Sequence, residues 1–382
     1  MSDFDGEKGP TATGRTDSRS RKIHCLIPSP IRTASQGENT ATVTTLQHDA
    51  QYTLISFMYI SEDEVREWLT YEALIPAIRE ALVDYSAGRV EQPPRMILRS
   101  NHTEGANNGW FAVMPVVYGD AMGVKTVTFF RGNAELHPSL GLHTHMAVIE
   151  LLSRTTGEPL ALMDGRLITE MRTAAVSAVA LDALARPDVR SLGILEAGVQ
   201  ARSHLQALRM MRPGLTDVRI WSRTTENAER LARDASSFPK SQTRDLGQPQ
   251  NVRATTIEEA AAADVVLTVT ASPTAVLMGR WLKPDALVIA VGAVGAQLRE
   301  LDDEAMLSSF VVAESQQAAE REAGDIVLSG ARVQAEIGEI LKPSSSGREA
   351  FARPAGRILF KSVGMAVEDL VAARLVWGAR KS

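Results

Sequence analysis

From Val189 onward, short uninterrupted apolar runs alternate with helix-like segments: RSLGILE, VQARSHLQALRMM, DVRIWSR, ENAERLARDA, DVVLTVT, ALVIAVG and FVVAES. A strand that is apolar at nearly every position needs cover on both faces. Strand–helix alternation provides it in an open, mostly parallel sheet. The expected fold class is therefore α/β, with a Rossmann-type doubly wound parallel sheet domain at residues 187–345. Upstream the rhythm differs. The stretch TLISFMYISEDEVREWLTYEALIPAIREALVDYSAG begins the ordered chain, with Ser61 and Glu64 spaced as a capping box and Gly88 placed as a C-cap. PRMIL, GWFAVMPVVY, GVKTVTFF, MAVIELLS and PLALMDG read as strands, and the helix TEMRTAAVSAVALDALA is stopped by Pro187. Residues 51–186 thus form a second, α+β domain. SSFPKSQTRDLGQPQN and PSSSGREAFARPAG read as surface loops, and GMAVEDLVAARLVW as a closing helix.

The 382 residues suffice for two cores, and 44% hydrophobic with 23% charged residues is ordinary for a water-soluble globular chain. A net charge of −5, with no conspicuous run of Lys and Arg, gives no electrostatic case for nucleic acid or an anionic membrane. The single cysteine, Cys25, excludes an intrachain disulfide and a cysteine-rich zinc site, and fits a reducing compartment. The start, MSDFDGEKGP, lacks the apolar core of a secretory signal. The longest apolar run, ALVIAVGAVGAQL, is shorter than the roughly 20 residues that span a bilayer. A cytoplasmic protein without a membrane segment is expected. Residues 1–50, rich in Ser, Thr and Gly, read as a disordered extension; RTDSRSRKIH is basic, but the acids before it argue against a transit peptide.

The first βα turn of the parallel domain reads Glu196-Ala197-Gly198-Val199-Gln200-Ala201. In a dinucleotide fingerprint three small residues make the tight turn, the close approach to pyrophosphate and the helix–strand packing. Gly198 and Ala201 fit the second and third roles, whereas Glu196 stands at the first. A carboxylate about 5 Å from a phosphate charge costs roughly 3 kcal/mol at an effective dielectric near 20. The site works if that side chain turns to solvent. After the second strand comes Ser222-Arg223-Thr224, with no acid for a ribose hydroxyl. Arg223 and Thr224 suit a 2′-phosphate, or Thr224 or Thr225 simply caps the next helix. HPSLGLHTH offers His137, His143 and His145. The last two would share one side of a strand, but no recognisable metal spacing completes them, so no metal is expected. The acids from Glu300 to Glu304 read as a solvated helix start.

The segments LMDGRLITEMRTAAVSAVALDAL, AGVQARSHLQAL, VRIWSRTTENAE, AGDIVLSGA and FKSVGMAVEDLVAARL occur in the order and form of the ornithine cyclodeaminase/μ-crystallin family. The chain resembles that family over about residues 56–378, and is more similar to its ketimine reductase branch than to its cyclodeaminases. The resemblance implies a homodimer, with residues 51–186 completed by 346–382 as the substrate and dimerisation domain. It implies a substrate-carboxylate site at Arg95, Lys125 and Arg172, with Lys125 and Arg172 as the catalytic pair. A bidentate Arg suits such a carboxylate, although each cation read alone is an ordinary surface charge. It implies dinucleotide contacts at Gly198, Val199 and Gln200, and at Ser222, Arg223 and Thr224. Further contacts are implied at Thr268, Val269 and Thr270, at Val291, and at Val363, Gly364 and Met365 beside the nicotinamide. NADP(H) is favoured and NAD(H) is possible.

Two departures bear on activity. The family usually has glycine at position 196. After VGA its cyclodeaminases carry an acid and its μ-crystallins a serine, where this chain has Val294. Cyclodeamination needs proton transfer that valine cannot perform, while a preformed cyclic imine can arrive protonated and needs only hydride. The expected activity is NADP(H)-dependent reduction of Δ1-pyrroline-2-carboxylate or Δ1-piperideine-2-carboxylate to proline or pipecolate. The alternatives are ornithine or lysine cyclodeamination, and a catalytically weakened small-ligand binder.

Overall fold

The computed structural model describes residues 22–28, 52–100, 107–235, 251–342 and 352–380. Its strands form two sheets. The first holds β1 (Lys22–Pro28), β2 (Tyr52–Ile60), β3 (Met96–Ser100), β4 (Gly109–Tyr118), β5 (Ala121–Phe130), β6 (His145–Ser153) and β7 (Pro159–Asp164). The second holds β8 (Ser191–Leu195), β9 (Asp217–Trp221), β10 (Asn251–Ala254), β11 (Val265–Thr268), β12 (Leu287–Ala290), β13 (Ser309–Ala313), β14 (Ala335–Glu336) and β15 (Arg357–Lys361).

The first sheet runs β1-β2-β7-β6-β5-β4-β3, antiparallel at every pairing except β2 with β7. Along β5 burial alternates, and Ala121, Gly123, Lys125 and Val127 share the buried face. A lysine thus sits in phase with core residues, a departure from the usual apolar-in, polar-out pattern. The helix Ala366–Ala379 packs against β4, β5 and β6 and covers Lys125. The 1–50 extension needs correction at one place: β1 pairs antiparallel with β2 over its whole length. The rest of that segment lies outside the described residues.

The second sheet runs β10-β9-β8-β11-β12-β15-β13-β14, and all its pairings are parallel. β8, β11 and β12 are buried at every position, as two-sided cover requires. Strand order reverses between β8 and β11, so a crevice opens beyond their carboxyl ends. At Gly193 in β8 a Cβ would lie 1.8 Å from the Ala260 carbonyl oxygen, so the absent side chain admits the Ile257–Ala261 helix. The boundary at 345 also needs correction, because Arg357–Lys361 lies between β12 and β13 in this sheet. Only the helix after it returns to the first sheet.

Local signals hold at the helix ends. Ser61 and Glu64 form the capping box of Glu62–Trp68, and Gly88, at φ 73°, follows the helix Tyr71–Ser86. Helix Arg166–Leu184 is buried along most of its length between the two sheets, packed on Tyr71–Ser86 and Val199–Met211. The loops expected at 236–251 and 343–356 fall mostly outside the described residues; Asn251 opens β10.

Candidate active site

The connection from β15 into the last helix brings the two halves together. Glu314 accepts hydrogen bonds from the amides of Val363 (3.2 Å) and Gly364 (2.8 Å), which fixes this turn. The carbonyls of Val363 and Gly364 each accept a bond from Arg95 Nη2 at 2.6 Å. Gly364 has φ 78°, and a Cβ there would lie 2.5 Å from Arg172 Nη1. Only glycine permits both this backbone and the guanidinium beside it.

Five residues on, the same segment supplies the counter-charges. Asp369 forms ion pairs with Lys125 Nζ at 2.8 Å and Arg172 Nε at 3.2 Å, while Glu368 takes Arg172 Nη1 at 2.6 Å. Glu322 pairs with Arg95 Nε at 2.8 Å. Arg95, Lys125 and Arg172 are thus brought together, close enough for each to act electrostatically on the others' neighbours. All three cations are also paired with carboxylates of the chain, Lys125 and Arg172 sharing Asp369. Among the described residues, Arg95 Nη1, Arg172 Nη2 and two protons of Lys125 remain uncommitted by these bonds. That is enough donor capacity for both oxygens of a ligand carboxylate.

Burial and neighbours set the protonation states. Desolvation, with help from Arg172 and Arg95, brings Lys125 down to about 8 despite Asp369. Burial alone would raise Asp369, yet Arg172 and Lys125 hold it below its ordinary value. Burial and the nearby Glu314 push Glu368 up against the pull of Arg172. His145 is brought down to about 4 by desolvation and by Lys125 and Arg172, so it faces the cations as a neutral ring. His143 does not share a strand face with it; β6 begins at His145, and His143 is an exposed loop residue.

The residues expected at a dinucleotide lie at the carboxyl ends of parallel strands: Gly198 after β8, Ser222–Thr224 after β9, Thr268–Thr270 at β11, Val291 after β12 and Val363–Met365 after β15. Gly198 is the N-cap of Val199–Met211, makes no side-chain cap bond, and has open space where a Cβ would be. Its first-turn amides are therefore available to an anion. Gln200 Oε1 and Thr268 Oγ1 are buried without a hydrogen-bond partner among the described residues. Buried polar atoms of this kind call for a ligand or water, so these residues fit a dinucleotide. Thr224 directly precedes the helix Thr225–Ala235, consistent with the capping alternative as well.

Two acids behave differently from expectation. Glu196 does not turn to solvent: Oε1 accepts from the Ala197 amide (2.9 Å) and from Ser222 Oγ (3.0 Å), and the side chain is half-buried. Glu300 is fully buried, unlike the helix-start acids Asp302 to Glu304. It receives the amides of Thr270 (2.6 Å), Gly292 (2.6 Å) and Ala293 (3.2 Å) and ties the loops after β11 and β12 together. Desolvation and Asp325 raise its pKa against the pull of Lys361. Val294 lies in the next turn, where the Gly295 amide reaches the carbonyl of Glu322, the partner of Arg95. Glu314, Glu322, Glu368 and Asp369 escaped the sequence reading. An adjacent acid pair inside the largely apolar GMAVEDLVAARLVW is the available signal.

Replacing Asp369 by Asn leaves two buried cations without their shared counter-charge. Asp369→Asn should lower unfolding free energy by about 3–5 kcal/mol in urea denaturation. An unchanged midpoint and slope would show that Asp369 does not hold the cluster.

A profile of the ornithine cyclodeaminase/mu-crystallin family matches residues 57–382. The chain is 38% identical over 330 residues to ketimine reductase mu-crystallin of Macropus fuliginosus, covering 84% of this chain and 96% of that one. The solved Δ1-pyrroline-2-carboxylate reductase of Thermococcus litoralis, in complex with NADH and L-proline, superposes with a TM-score of 0.73 at 30% identity, over 85% of this chain and 97% of the other. An archaeal alanine dehydrogenase dimer with bound NAD gives a TM-score of 0.73 at 27% identity, over 85% and 96%. With the profile spanning most of its length, the chain belongs to the ornithine cyclodeaminase/mu-crystallin family.

Proposed function

We propose that the protein reduces cyclic ketimine carboxylates, such as Δ1-pyrroline-2-carboxylate and Δ1-piperideine-2-carboxylate, to proline and pipecolate. The observation that carries this reading is the Val363–Met365 turn, whose carbonyls hold Arg95 and whose glycine admits Arg172. Cations that bind a carboxylate there are built into the strand end where a nicotinamide would lie. The relatives named for ketimine and pyrroline-carboxylate reduction support the same chemistry.

Arg95 and Arg172 bind and orient the carboxylate, and Lys125, protonated near neutrality, completes the grip. Glu322, Asp369 and Glu368 hold the cations in place, so little reorganisation accompanies binding. A bound reduced dinucleotide supplies the hydride. The ring nitrogen brings its own proton, so the apolar Val294 is tolerated, whereas a cyclodeaminase would need proton transfer there. NADH and NADPH carry the same reactive ring. Arg223, exposed at the end of β9, favours a 2′-phosphate, and Glu196 beside Ser222 opposes one.

Purified protein should oxidise reduced dinucleotide with either imine, and Arg95→Ala should raise KM by roughly 100-fold through loss of a charged hydrogen bond. Lys125 is charged below about pH 8 and loses its proton above it. Affinity for furan-2-carboxylate, a ring carboxylate with no basic nitrogen, should therefore hold at neutral pH and weaken as pH rises through 8. No turnover with millimolar imine, or a flat affinity profile to pH 10, would defeat this reading.

The same reading includes a homodimer. β3 is an edge strand whose Met96, Ile97 and Leu98 are 60%, 48% and 55% exposed, an apolar edge that a second copy would cover. Light scattering should give twice the 41.3 kDa chain mass, and the double change Ile97→Asp with Leu98→Asp should give the monomer. A monomeric parent protein would contradict the assignment.

A further inference from the structure

We propose that Glu196 is a cofactor-specificity residue: its carboxylate takes the ribose hydroxyls of an unphosphorylated dinucleotide and disfavours a 2′-phosphate. The proposal rests on the dinucleotide reading of the β8 crevice and goes beyond it by assigning the choice between NAD(H) and NADP(H).

Glu196 is the one non-glycine residue with positive φ among the described residues, at φ 125°. Glycine would adopt this backbone freely, and a glutamate holds it under strain. The conformation is fixed from several sides. The Glu196 amide donates to the Trp221 carbonyl at 2.7 Å. Oε1 accepts from the Ala197 amide and from Ser222 Oγ. Ser222 is itself buried, 5% exposed, so its hydroxyl is a fixed anchor. The carboxylate therefore bridges the first βα turn and the end of the second strand.

That place has a chemical meaning in a dinucleotide fold. An acid at the end of the second strand ordinarily accepts the adenosine ribose 2′-hydroxyl, while an arginine there accommodates a 2′-phosphate. β9 runs into Ser222-Arg223-Thr224 and offers no acid. Glu196 brings one to the same strand end from the adjacent strand β8. Its two bonds both use Oε1, and Oε2 has no partner among the described residues, leaving it able to accept from a ribose hydroxyl. A 2′-phosphate would meet both Arg223 and this fixed negative charge, so the cation's attraction is largely offset. With an unphosphorylated ribose, the guanidinium of Arg223 can instead stack on the adenine face.

Fluorescence titration of NADH and NADPH, without imine, tests the assignment in the parent protein, Glu196→Gly and Glu196→Gln; thermal shift at saturating dinucleotide is the second readout. The parent should bind NADH at least tenfold more tightly than NADPH. Glu196→Gly should move the ratio of dissociation constants toward NADPH by about 100-fold, the effect of removing one fixed charge near a phosphate. Glu196→Gln removes the same charge while keeping an acceptor for Ser222, and should move the ratio in the same direction by a similar factor. Equal or tighter binding of NADPH by the parent would overturn the proposal. So would equal gains for both dinucleotides in Glu196→Gly, which would make the carboxylate a general obstruction. Selective NADH binding without imine turnover would leave this assignment standing and defeat the reductase reading alone.

Discussion

Asp369 is the residue on which the arrangement depends. Lys125 and Arg172 come from elements far apart in sequence, and both are almost wholly buried. Two such cations would repel each other and lose hydration with no return. A carboxylate paired with both at 2.8 and 3.2 Å makes their proximity tolerable. Because Asp369 rides on the last helix, the site is assembled only when that helix lies across the first sheet. Folding and site formation are therefore one event at this place.

The strand before that helix joins this cluster to the parallel sheet. β15 sits between β12 and β13, and its Lys361 is buried against Asp325 at 2.8 Å. Asp325 also receives the amides of Glu300 and Leu301. Glu300 in turn holds the loops that follow β11 and β12. A chain of charge-assisted bonds thus runs from β15 to the crevice, while Gly364 brings the opposite end of the connection against Arg172. The geometry between a ring in the crevice and a carboxylate on the cations is set by a short, heavily bonded segment, which is the preorganisation that hydride transfer requires.

Much of this was legible in the sequence where burial follows local pattern. Runs such as DVVLTV and ALVIAV announce β11 and β12 because a strand covered on both faces must be apolar throughout. β15 escaped because RILFK has a cation at each end, and the pairing that buries Lys361 comes from a residue 36 positions away. Glu300 differs from its pattern for a related reason: its neighbours do start a helix, but its own carboxylate is claimed by three amides from the loops after β11 and β12. Arg95, Lys125 and Arg172 were placed by family resemblance, since spacing alone cannot tell a buried cation from a surface one. Lys125 nonetheless left a trace in its phase with Ala121, Gly123 and Val127, and the Glu368–Asp369 pair left another in an apolar helix. Where a carboxylate turns is decided by tertiary partners, so Glu196 could be flagged from sequence but not oriented.

One small carboxylate shared by Arg95, Lys125 and Arg172 beside the Val363–Met365 turn is what the proposed chemistry requires. A crystal structure of the protein soaked with dinucleotide and furan-2-carboxylate addresses it directly. The carboxylate oxygens should lie within about 3 Å of donors from Lys125 and at least one of the two arginines, with the furan ring facing that turn. A furan ring bound elsewhere, or a carboxylate held without any of the three cations, would contradict it.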